Sequence, residues 1–245
     1  MIQRTDDHNK ELSPSEDNLF LMIVVIGGGP AGRYAAMRLA GSGRDVVLVD
    51  RRPDGLGGQC LHQGCMVICA LNDVARTIEH LEVMSRSGII NPLPVLDFST
   101  LVRRMQTIIR TIAGVIDTET RDAGVKVVIG EAAVHGRRVT INGETVEAES
   151  IIIATGSRPK NPNIPGNELT GVYTAHSILN LTSLPTRMVI IGGGSIATEF
   201  AYLFSVFGSE VTILARSTLL RSFPEPLVRE ARRDLLRVQI CERAS

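Results

Sequence analysis

Mostly apolar runs and amphipathic stretches alternate along most of the chain. Runs of about four to eight mostly apolar residues are typical of strands buried in a parallel sheet. Such runs occupy residues 19–26, 46–49, 125–129, 151–154, 188–191 and 211–214. Between several of these runs, apolar residues recur every three or four positions, which predicts helices. The alternation therefore predicts an α/β fold built on parallel strands.

Two long helices are predicted in the middle of the chain. The first follows residue 65 and is expected to end at Gly88. Its apolar face would carry Ile68, Leu71, Ala75, Ile78 and Leu81. The second is expected to be capped by Ser99. Its apolar face would carry Val102, Met105, Ile109, Ile112 and Ile116. Further along, Asn142-Gly143 stands between two short runs, residues 138–141 and 144–146, and predicts a β-hairpin.

A glycine-rich loop follows the first predicted strand. Residues 27–32 read Gly-Gly-Gly-Pro-Ala-Gly, the pattern GxGxxG between a strand and a helix. The first glycine of this pattern permits a tight turn, the second admits a pyrophosphate, and the third lets the helix pack closely on the strand. An acid that closes the next strand can accept a hydrogen bond from a ribose hydroxyl. These features predict a dinucleotide site at Gly27, Gly29, Pro30, Ala31, Gly32, Asp50 and Arg51, and a purely structural turn is the alternative.

The same pattern recurs 165 positions later. Residues 192–197 read Gly-Gly-Gly-Ser-Ile-Ala, the accepted variant with alanine at the third place. A weak repeat at this long spacing indicates a domain duplication rather than a solenoid. It predicts a second nucleotide site at Gly192, Gly194, Ser195 and Ile196.

Cys60 and Cys65 stand five positions apart in a glycine-rich stretch, residues 57–71, that reads GGQCLHQGCMVICAL. A reversible disulfide needs two sulfurs within bonding distance. It also needs a low thiol pKa, which a helix N-terminus can supply. Two alternatives compete with a redox disulfide. Cysteines often serve as small buried hydrophobes, and Cys60, His62, Cys65 and Cys69 form a possible zinc set whose spacing matches no familiar metal-site pattern.

This stretch resembles the redox-active disulfide region of the class I pyridine nucleotide–disulfide oxidoreductases, the family of dihydrolipoamide dehydrogenase, glutathione reductase and mercuric reductase. The family pattern is roughly GGTCxNxGCxPSKxL, and its matches here are Gly57, Gly58, Cys60, Gly64, Cys65 and Leu71. The resemblance implies that Cys65 is the flavin-proximal thiol and Cys60 the interchange thiol. The glycines before each cysteine would let the backbone pass close to the flavin ring. The family's lysine beside the flavin is here Cys69, a departure that we expect to affect hydride transfer.

The resemblance covers about residues 23–240 and implies a cofactor for each glycine loop. The first loop would bind the ADP part of FAD, and the second would bind NAD(P)H. The family's second-loop glutamate aligns with Glu199 and lies near the nicotinamide and the flavin, although an exposed helical acid is the alternative. Residues 155–159 resemble the crossing point between the two domains, and this places Thr155 and Gly156 among the expected cofactor contacts.

The end of the second unit's second strand bears on the choice between NADH and NADPH. An acid there would hold a ribose 2′-hydroxyl and repel a 2′-phosphate. The chain instead has Ala215, followed by Arg216 and then Arg221. Because arginine binds phosphate bidentately, NADPH is favoured; ordinary surface arginines are the alternative. Residues 214–219 also look like mercuric reductase, an NADPH enzyme.

Charge and composition exclude some classes of function. Lys+Arg and Asp+Glu each number 26, so the net charge of zero gives no general attraction to nucleic acid or to an anionic membrane. Residues 19–26 lack a preceding basic region and are too few to span a bilayer. Four cysteines, three of them clustered, do not form a secreted disulfide framework, so a cytoplasmic location is expected.

The sequence therefore predicts two tandem Rossmann-type dinucleotide-binding units. The expected domains are a disordered tail at residues 1–18, an FAD-binding domain with the redox disulfide at 19–160, and an incomplete NAD(P)-binding domain at 161–245. The expected function is FAD-dependent electron transfer between NAD(P)H, flavin and a Cys60–Cys65 disulfide, with a small dithiol, a disulfide or mercuric ion as substrate. The family implies a homodimer, whose interface domain would lie beyond this front half. The alternative is a truncated, non-catalytic flavin- or nucleotide-binding remnant.

Overall fold

A computed structural model describes residues 22–244 of the chain, apart from Pro92, Pro94 and Asn161. These residues form two compact units. The first runs to Gln59 and resumes over Arg110–Arg158, and the second combines Cys60–Ile109 with the chain from Pro159 onward. The predicted tail and the first three residues of the predicted strand 19–26 lie outside the described residues.

The described residues contain ten strands and six α-helices. The strands are β1 (Ile23–Ile26), β2 (Val46–Asp50), β3 (Lys126–Ile129), β4 (Ala132–His135), β5 (Arg138–Ile141), β6 (Glu144–Glu147), β7 (Ser150–Ile153), β8 (Arg187–Ile191), β9 (Glu210–Ala215) and β10 (Val238–Glu242). The helices are α1 (Pro30–Ala40), α2 (Gly58–His62), α3 (Cys65–Arg86), α4 (Phe98–Asp122), α5 (Ser195–Phe207) and α6 (Glu225–Asp234). The predicted α/β class is confirmed. Within the described part of the chain, no helix is both long and apolar enough to cross a membrane.

The first unit is built on a parallel sheet of order β3-β2-β1-β7. Strand β1 lies between β2 and β7, and its last residue, Ile26, pairs with Val49 on one side and Ile153 on the other. The chain leaves β1 toward β2 and later returns beside it as β7. The carboxyl end of β1 is therefore a topological switch point, the place where open α/β sheets bind ligands.

Both faces of this sheet are covered. On one face, Val25 and Leu48 belong to a buried cluster with Ala36 of α1, and Ile116 of α4 packs against it. On the other face, β1 and β2 residues cluster with Val139 and other residues of the antiparallel sheet β4-β5-β6. Because both faces are buried, the parallel strands are continuous apolar runs, as the sequence indicates.

The predicted hairpin is confirmed. Asn142 and Gly143 connect β5 to β6 with φ angles of +50° and +93°, the left-handed conformation that a type I′ turn requires at both central residues. The sequence reading missed β4, which pairs with β5 through a second turn at Gly136. Three of the four β4 residues are exposed, so the strand carries little apolar signal.

The second unit contains a parallel sheet of order β10-β9-β8. The sequence analysis assigns two strands to this sheet, residues 188–191 and 211–214, and misses the third, β10, which follows α6. Strand β10 reads Val-Gln-Ile-Cys-Glu, and α6 is rich in charged residues, so neither has the strong apolar pattern of the two strands, β8 and β9, that the sequence predicts.

An aromatic cluster fills the interior of the second unit. Phe98 of α4 lies with its ring centroid 5.9 Å from that of Phe204 and 6.3 Å from that of Phe207, both on α5. Helices α3 and α5 also share a polar contact, in which the Tyr202 hydroxyl donates to Glu79 at 2.7 Å. Burial, and then this carboxylate, raise the pKa of Tyr202 far above its usual range, so it stays a donor. Helix α3 ends just before Gly88, as predicted.

The predicted Ser99 cap of the second long helix is wrong. Helix α4 begins at Phe98, and Asp97 accepts the backbone N–H of Thr100 at 2.9 Å as well as both nearby hydroxyls, from Thr100 and Ser99. Ser99 therefore lies in the first turn, and Asp97 is the capping residue. The Thr100 hydroxyl and N–H, followed by Ser99, lower the pKa of Asp97 to about 2.

Replacing Asp97 with alanine should lower the thermal stability of the protein at neutral pH. A carboxyl whose pKa falls on folding contributes stability above its unfolded pKa, about 3.9, and loses it as pH falls through the folded value, about 2. The Tm difference between wild type and Asp97→Ala should therefore shrink between about pH 4 and pH 2. Circular dichroism melts at several pH values measure it, with the exposed helical Asp73→Ala as control. A Tm difference that is the same at pH 2 and pH 7 would contradict the capping role.

Candidate functional site

The first glycine loop turns sharply at the carboxyl end of β1. Gly27 has a φ of +109°, and its N–H donates to Val49 O at 2.8 Å. A Cβ at Gly27 would lie 2.3 Å from the carbonyl oxygen of Ala154. A Cβ at Gly32 would lie 1.9 Å from the carbonyl oxygen of Gly27. Glycine at position 32 therefore lets α1 pack closely against the end of β1, and glycine at position 27 lets the turn pass close to the chain that follows β7.

Asp50 holds the middle of this loop from the end of β2. Its Oδ2 accepts the N–H of Gly28 at 2.5 Å, and its Oδ1 accepts the N–H of Arg52 at 2.8 Å. The carbonyl of Gly28 in turn accepts the N–H of Gly57 at 2.9 Å. A carboxylate has about four acceptor positions, so these two bonds leave capacity for a ribose hydroxyl.

Gly29 marks the start of α1. It is extended (φ −70°, ψ 178°), and no side chain caps the helix. Pro30 and Ala31, in the first turn, are exposed. The backbone of Gly58, with a φ of +56°, touches Gly29, since a Cβ on Gly58 would lie 2.7 Å from the Gly29 Cα. No side chain caps the first turn of α1, and neither Gly29 nor Gly58 has a side chain that would cover it. The N–H groups of this turn therefore lack a side-chain partner, an arrangement that suits a phosphate.

The remaining residues expected at the first nucleotide site lie on the surface of the first unit. Arg51, Thr155 and Gly156 are all exposed. The amide of Gln59 donates to the carbonyl of Ser157, which ties the start of α2 to the segment after β7. The sequence reading did not single out Gln59, because a glutamine amide carries no pattern of its own.

Three cysteines lie at the junction of α2 and α3. Cys60 is on α2 and partly buried, whereas Cys65, the first residue of α3, and Cys69, one turn later, are exposed. The side chains of Cys60 and Cys65 are in hydrogen-bond contact. Gly64 precedes α3 without a side-chain cap, at φ −144° and ψ −124°. The structure therefore brings together the two predicted redox thiols at an uncapped helix N-terminus.

The expectation of a low thiol pKa does not hold for Cys60. Burial raises the pKa of Cys60 above its ordinary value, and the hydrogen bond and charge of Cys65 raise it further. The backbone N–H of Met66, at the start of α3, opposes this shift but does not cancel it. At neutral pH Cys60 is therefore held as a thiol.

The zinc alternative finds no geometric support. Among the described residues, no three His, Cys, Asp or Glu side chains are arranged to hold a metal ion. His62 is buried, while two of the three cysteines nearby are exposed.

The second glycine loop repeats the hydrogen bonds of the first. The N–H of Gly192 donates to the carbonyl of Leu214 at 2.9 Å, as Gly27 does to Val49. The carbonyl of Gly193 accepts the N–H of Leu220 at 2.6 Å, as Gly28 accepts that of Gly57. The start of α5 is also uncapped, and a Cβ on Gly194 would meet nothing within 4 Å. Ser195 and Ile196 are exposed in its first turn.

The loop after β9 carries both arginines expected to select the nicotinamide cofactor. Arg216 and Arg221 are exposed, and Ala215 packs against Gly193, whose Cβ would lie 2.8 Å from its own. The sequence reading missed Glu242, the last residue of β10, which pairs in register with Ala215. Its Oε1 accepts the N–H of Leu219 at 2.6 Å and pairs with Arg232. No sequence signal marks Glu242, because only strand pairing brings it to this loop.

Glu199 lies in the second turn of α5 and is exposed. Its predicted role beside a nicotinamide stays a prediction, as does the consequence of cysteine at position 69. The helices that carry these two residues, α3 and α5, pack together within the second unit through the Tyr202–Glu79 bond.

Comparison with known proteins agrees with this arrangement. The profile of the family described as Pyridine nucleotide-disulphide oxidoreductase matches residues 21–240. A dihydrolipoyl dehydrogenase from Chlamydia muridarum is 35% identical over 210 residues, covering 83% of this chain and 44% of that protein. A dihydrolipoyl dehydrogenase from Buchnera aphidicola is 34% identical over 200 residues, covering 79% of this chain and 42% of that protein.

A similar solved structure is the HOCl-induced flavoprotein disulfide reductase RclA from Escherichia coli. It has a TM-score of 0.76 and 27% sequence identity, and the match covers 91% of this chain and 49% of RclA. The chain thus spans about half the length of the proteins it matches.

The contact between Gly58 and Gly29 predicts different effects of alanine at the two positions. Gly58→Ala should lower the free energy of unfolding by about 1–3 kcal/mol, because it combines a left-handed φ with a backbone clash. Gly29→Ala should have little effect on stability, since φ is ordinary and its Cβ would lie 3.8 Å from Gly58 Cα. Urea unfolding measures both, and equal destabilisation would contradict the geometry.

Proposed function

Because the chain belongs to the pyridine nucleotide-disulphide oxidoreductase family, we propose that it acts as an FAD-dependent oxidoreductase whose Cys60–Cys65 disulfide exchanges electrons with a small dithiol or disulfide. The contact between the Cys60 and Cys65 side chains carries this proposal. Cys60 shares α2 with Gly58, and Gly58 touches the first glycine loop at Gly29.

We assign residues 19–160 to an FAD-binding domain and residues 161–245 to an NAD(P)-binding domain, as two tandem Rossmann-type units. The matched hydrogen bonds of the two glycine loops support a duplication. Their shared plan is a strand, a glycine turn, an uncapped helix, and a second strand whose following loop bonds to the middle glycine.

The residues of the first loop fit a dinucleotide. Gly29 has no side chain at an uncapped helix start, and Ala31 and Gly32 follow in the first turn, where N–H groups have no partner within the helix. We propose that these groups bind the FAD pyrophosphate and that Asp50 binds the adenosine ribose. Bound FAD would supply the electron transfer between nicotinamide and disulfide. The chain's own residues bind and orient that cofactor and carry out the thiol chemistry.

We propose the following thiol step, with Cys60 as the interchange thiol and Cys65 as the flavin-proximal thiol, the roles that the family implies. A substrate thiolate attacks the Cys60 sulfur of the Cys60–Cys65 disulfide, forms a mixed disulfide with Cys60, and releases Cys65 as a thiolate. The second substrate thiol, after losing its proton to solvent or a base, displaces Cys60 and leaves as the substrate disulfide. Cys60 then takes up a proton, which its raised pKa favours. Two substrate thiols are thereby oxidised and the protein disulfide is reduced.

The relatives from Chlamydia muridarum and Buchnera aphidicola favour a dithiol substrate of the dihydrolipoyl type, since both are dihydrolipoyl dehydrogenases. They lend no support to mercuric ion. We propose a homodimer in a cytoplasmic setting, as expected from the family and from the cysteine pattern. Glu199 is proposed to lie near the nicotinamide, without the lysine that Cys69 replaces.

For the second loop we propose a preference for NADPH. Arg216 and Arg221 are both exposed on the loop that follows β9, and Ala215 leaves the end of that strand without an acid of its own. Guanidinium groups hold a phosphate through charge-assisted hydrogen bonds. This preference rests on the loop residues of this chain and not on the relatives.

Oxidised, folded protein should contain a Cys60–Cys65 disulfide, with Cys69 and Cys241 free. Mass spectrometry of peptides alkylated before and after reduction identifies the pair. Cys65→Ser should leave Cys60 alkylated without reduction, whereas Cys241→Ser should leave the disulfide unchanged. If Cys60 and Cys65 are both alkylated before reduction in oxidised wild-type protein, the proposed function is wrong.

The Arg216→Ala, Arg221→Ala double variant should lose the preference for NADPH over NADH. Charge-assisted contacts to phosphate contribute about 1.5–3 kcal/mol each, so the affinity ratio should fall roughly tenfold or more per arginine. Fluorescence titration with each nucleotide measures the ratio. The control is the Arg229→Ala, Arg233→Ala double variant, which removes the same charge from α6. It should keep the wild-type ratio of NADPH to NADH affinity. Similar losses of the NADPH preference in both double variants would show that the preference depends only on net charge.

A further inference from the structure

Residues 216–221, the first part of the loop between β9 and α6, are held by a hydrogen bond to a residue of another strand. The Oε1 atom of Glu242, at the end of β10, accepts the N–H of Leu219 at 2.6 Å. The same oxygen pairs with Arg232 of α6. The Leu219 N–H, with Arg232, lowers the pKa of Glu242, so the carboxylate is ionised at neutral pH. One carboxylate thus joins β10, α6 and the middle of the loop.

The loop is held in a conformation that needs such support. Leu220 has a φ of +51°, a left-handed value that is unfavourable for a leucine. Its N–H donates to the carbonyl of Gly193 at 2.6 Å, and its side chain is buried. Leu219 is buried as well, so the loop has two apolar anchors between its two exposed arginines. Backbone strain of this kind persists only where the surrounding contacts determine it.

The two glycine loops differ in the source of their carboxylate. In the first unit, Asp50 of β2 itself fastens both the glycine loop and the backbone of Arg52. In the second unit, the corresponding strand ends in Ala215, and the carboxylate comes from its register partner, Glu242. That carboxylate already holds Leu219 and Arg232. Arg216 and Arg221, in contrast, have no carboxylate partner among the described residues.

From these contacts we propose that Glu242 is a positioning residue for cofactor specificity, holding residues 216–221 so that Arg216 and Arg221 together receive the ribose 2′-phosphate of NADPH. This inference rests on the NADPH preference proposed above. Glu242 fixes the Leu219 backbone between the two arginines. Together with the hydrogen bond from Leu220 to Gly193, Glu242 fixes the backbone from which the Arg216 and Arg221 side chains project. Arg232 balances the carboxylate, which reduces its repulsion of a phosphate.

The competing reading is that Glu242 acts only as a negative charge near the loop. The two interpretations predict opposite changes in 2′-phosphate affinity when Glu242 is replaced. A charge that merely repels phosphate should weaken 2′-phosphate binding, so its removal should tighten binding. A positioning carboxylate should give weaker binding when it is replaced by a group that cannot accept the Leu219 N–H.

The test compares Glu242→Ala with Glu242→Gln in the whole chain. Calorimetry measures the dissociation constants for adenosine 2′,5′-bisphosphate and adenosine 5′-monophosphate, which differ only in the 2′-phosphate. The ratio to compare is the dissociation constant of the monophosphate divided by that of the bisphosphate. Glu242→Ala should lower this ratio by about tenfold, the value of one charge-assisted contact. Glu242→Gln should retain most of the ratio, because its amide oxygen still accepts the Leu219 N–H. Glu230→Ala, which removes an exposed acid from α6, should leave the ratio unchanged.

The ratio separates positioning from general destabilisation, since a loss of folded protein would weaken both probes equally. A ratio that rises in both Glu242 variants, or that stays at the wild-type value in Glu242→Ala, would overturn the inference while leaving the NADPH preference intact. Equal binding of the two probes by wild-type protein would overturn the NADPH preference itself, and this inference with it.

Discussion

The close approach of α1 to the end of β1 is the constraint on which the first unit depends. It requires glycine at position 32, because a side chain there would collide with the carbonyl of Gly27, and Gly27 itself lies too close to the carbonyl of Ala154 to carry a side chain. With that contact made, the uncapped start of α1 lies at the switch point of the sheet, between β2 and β7. Gly58 then brings the backbone of α2 against Gly29, and the first cysteine lies in the same short helix. The first glycine loop therefore contacts the residue at which α2 begins.

The second unit uses the same turn with different side chains. Gly192 and Gly193 repeat the hydrogen bonds of Gly27 and Gly28, but an alanine replaces the acid at the end of the second strand. The carboxylate that fastens the following loop is supplied by β10 instead. Because Glu242 holds this loop in place of an acid at the end of β9, the loop can carry two exposed arginines, Arg216 and Arg221. If both turns bind nucleotides as proposed, the loop that follows each turn determines which nucleotide is selected.

The sequence predicts those features that depend on neighbouring residues along the chain. The glycine turns, the Asn142-Gly143 hairpin and the apolar strands are of this kind, because their conformations follow from glycine geometry or from continuous burial. It misses features that arise only from long-range pairing. Glu242 acquires its role from pairing beside Ala215, and the pKa of Cys60 rises because folding buries it against Cys65. The misassigned cap at Ser99 is a local error, since Asp97 and Ser99 are both capable caps two positions apart.

We propose that a disulfide and a bound flavin exchange electrons within this chain. The most direct measurement is an anaerobic titration of FAD-loaded protein with dithionite, followed by flavin absorbance. If the account is correct, wild-type protein takes up one more electron pair than its flavin alone requires. The additional pair disappears in Cys65→Ser and persists in Cys69→Ser. Uptake that matches the flavin alone in wild-type protein, with Cys60 and Cys65 oxidised at the start, would contradict the account.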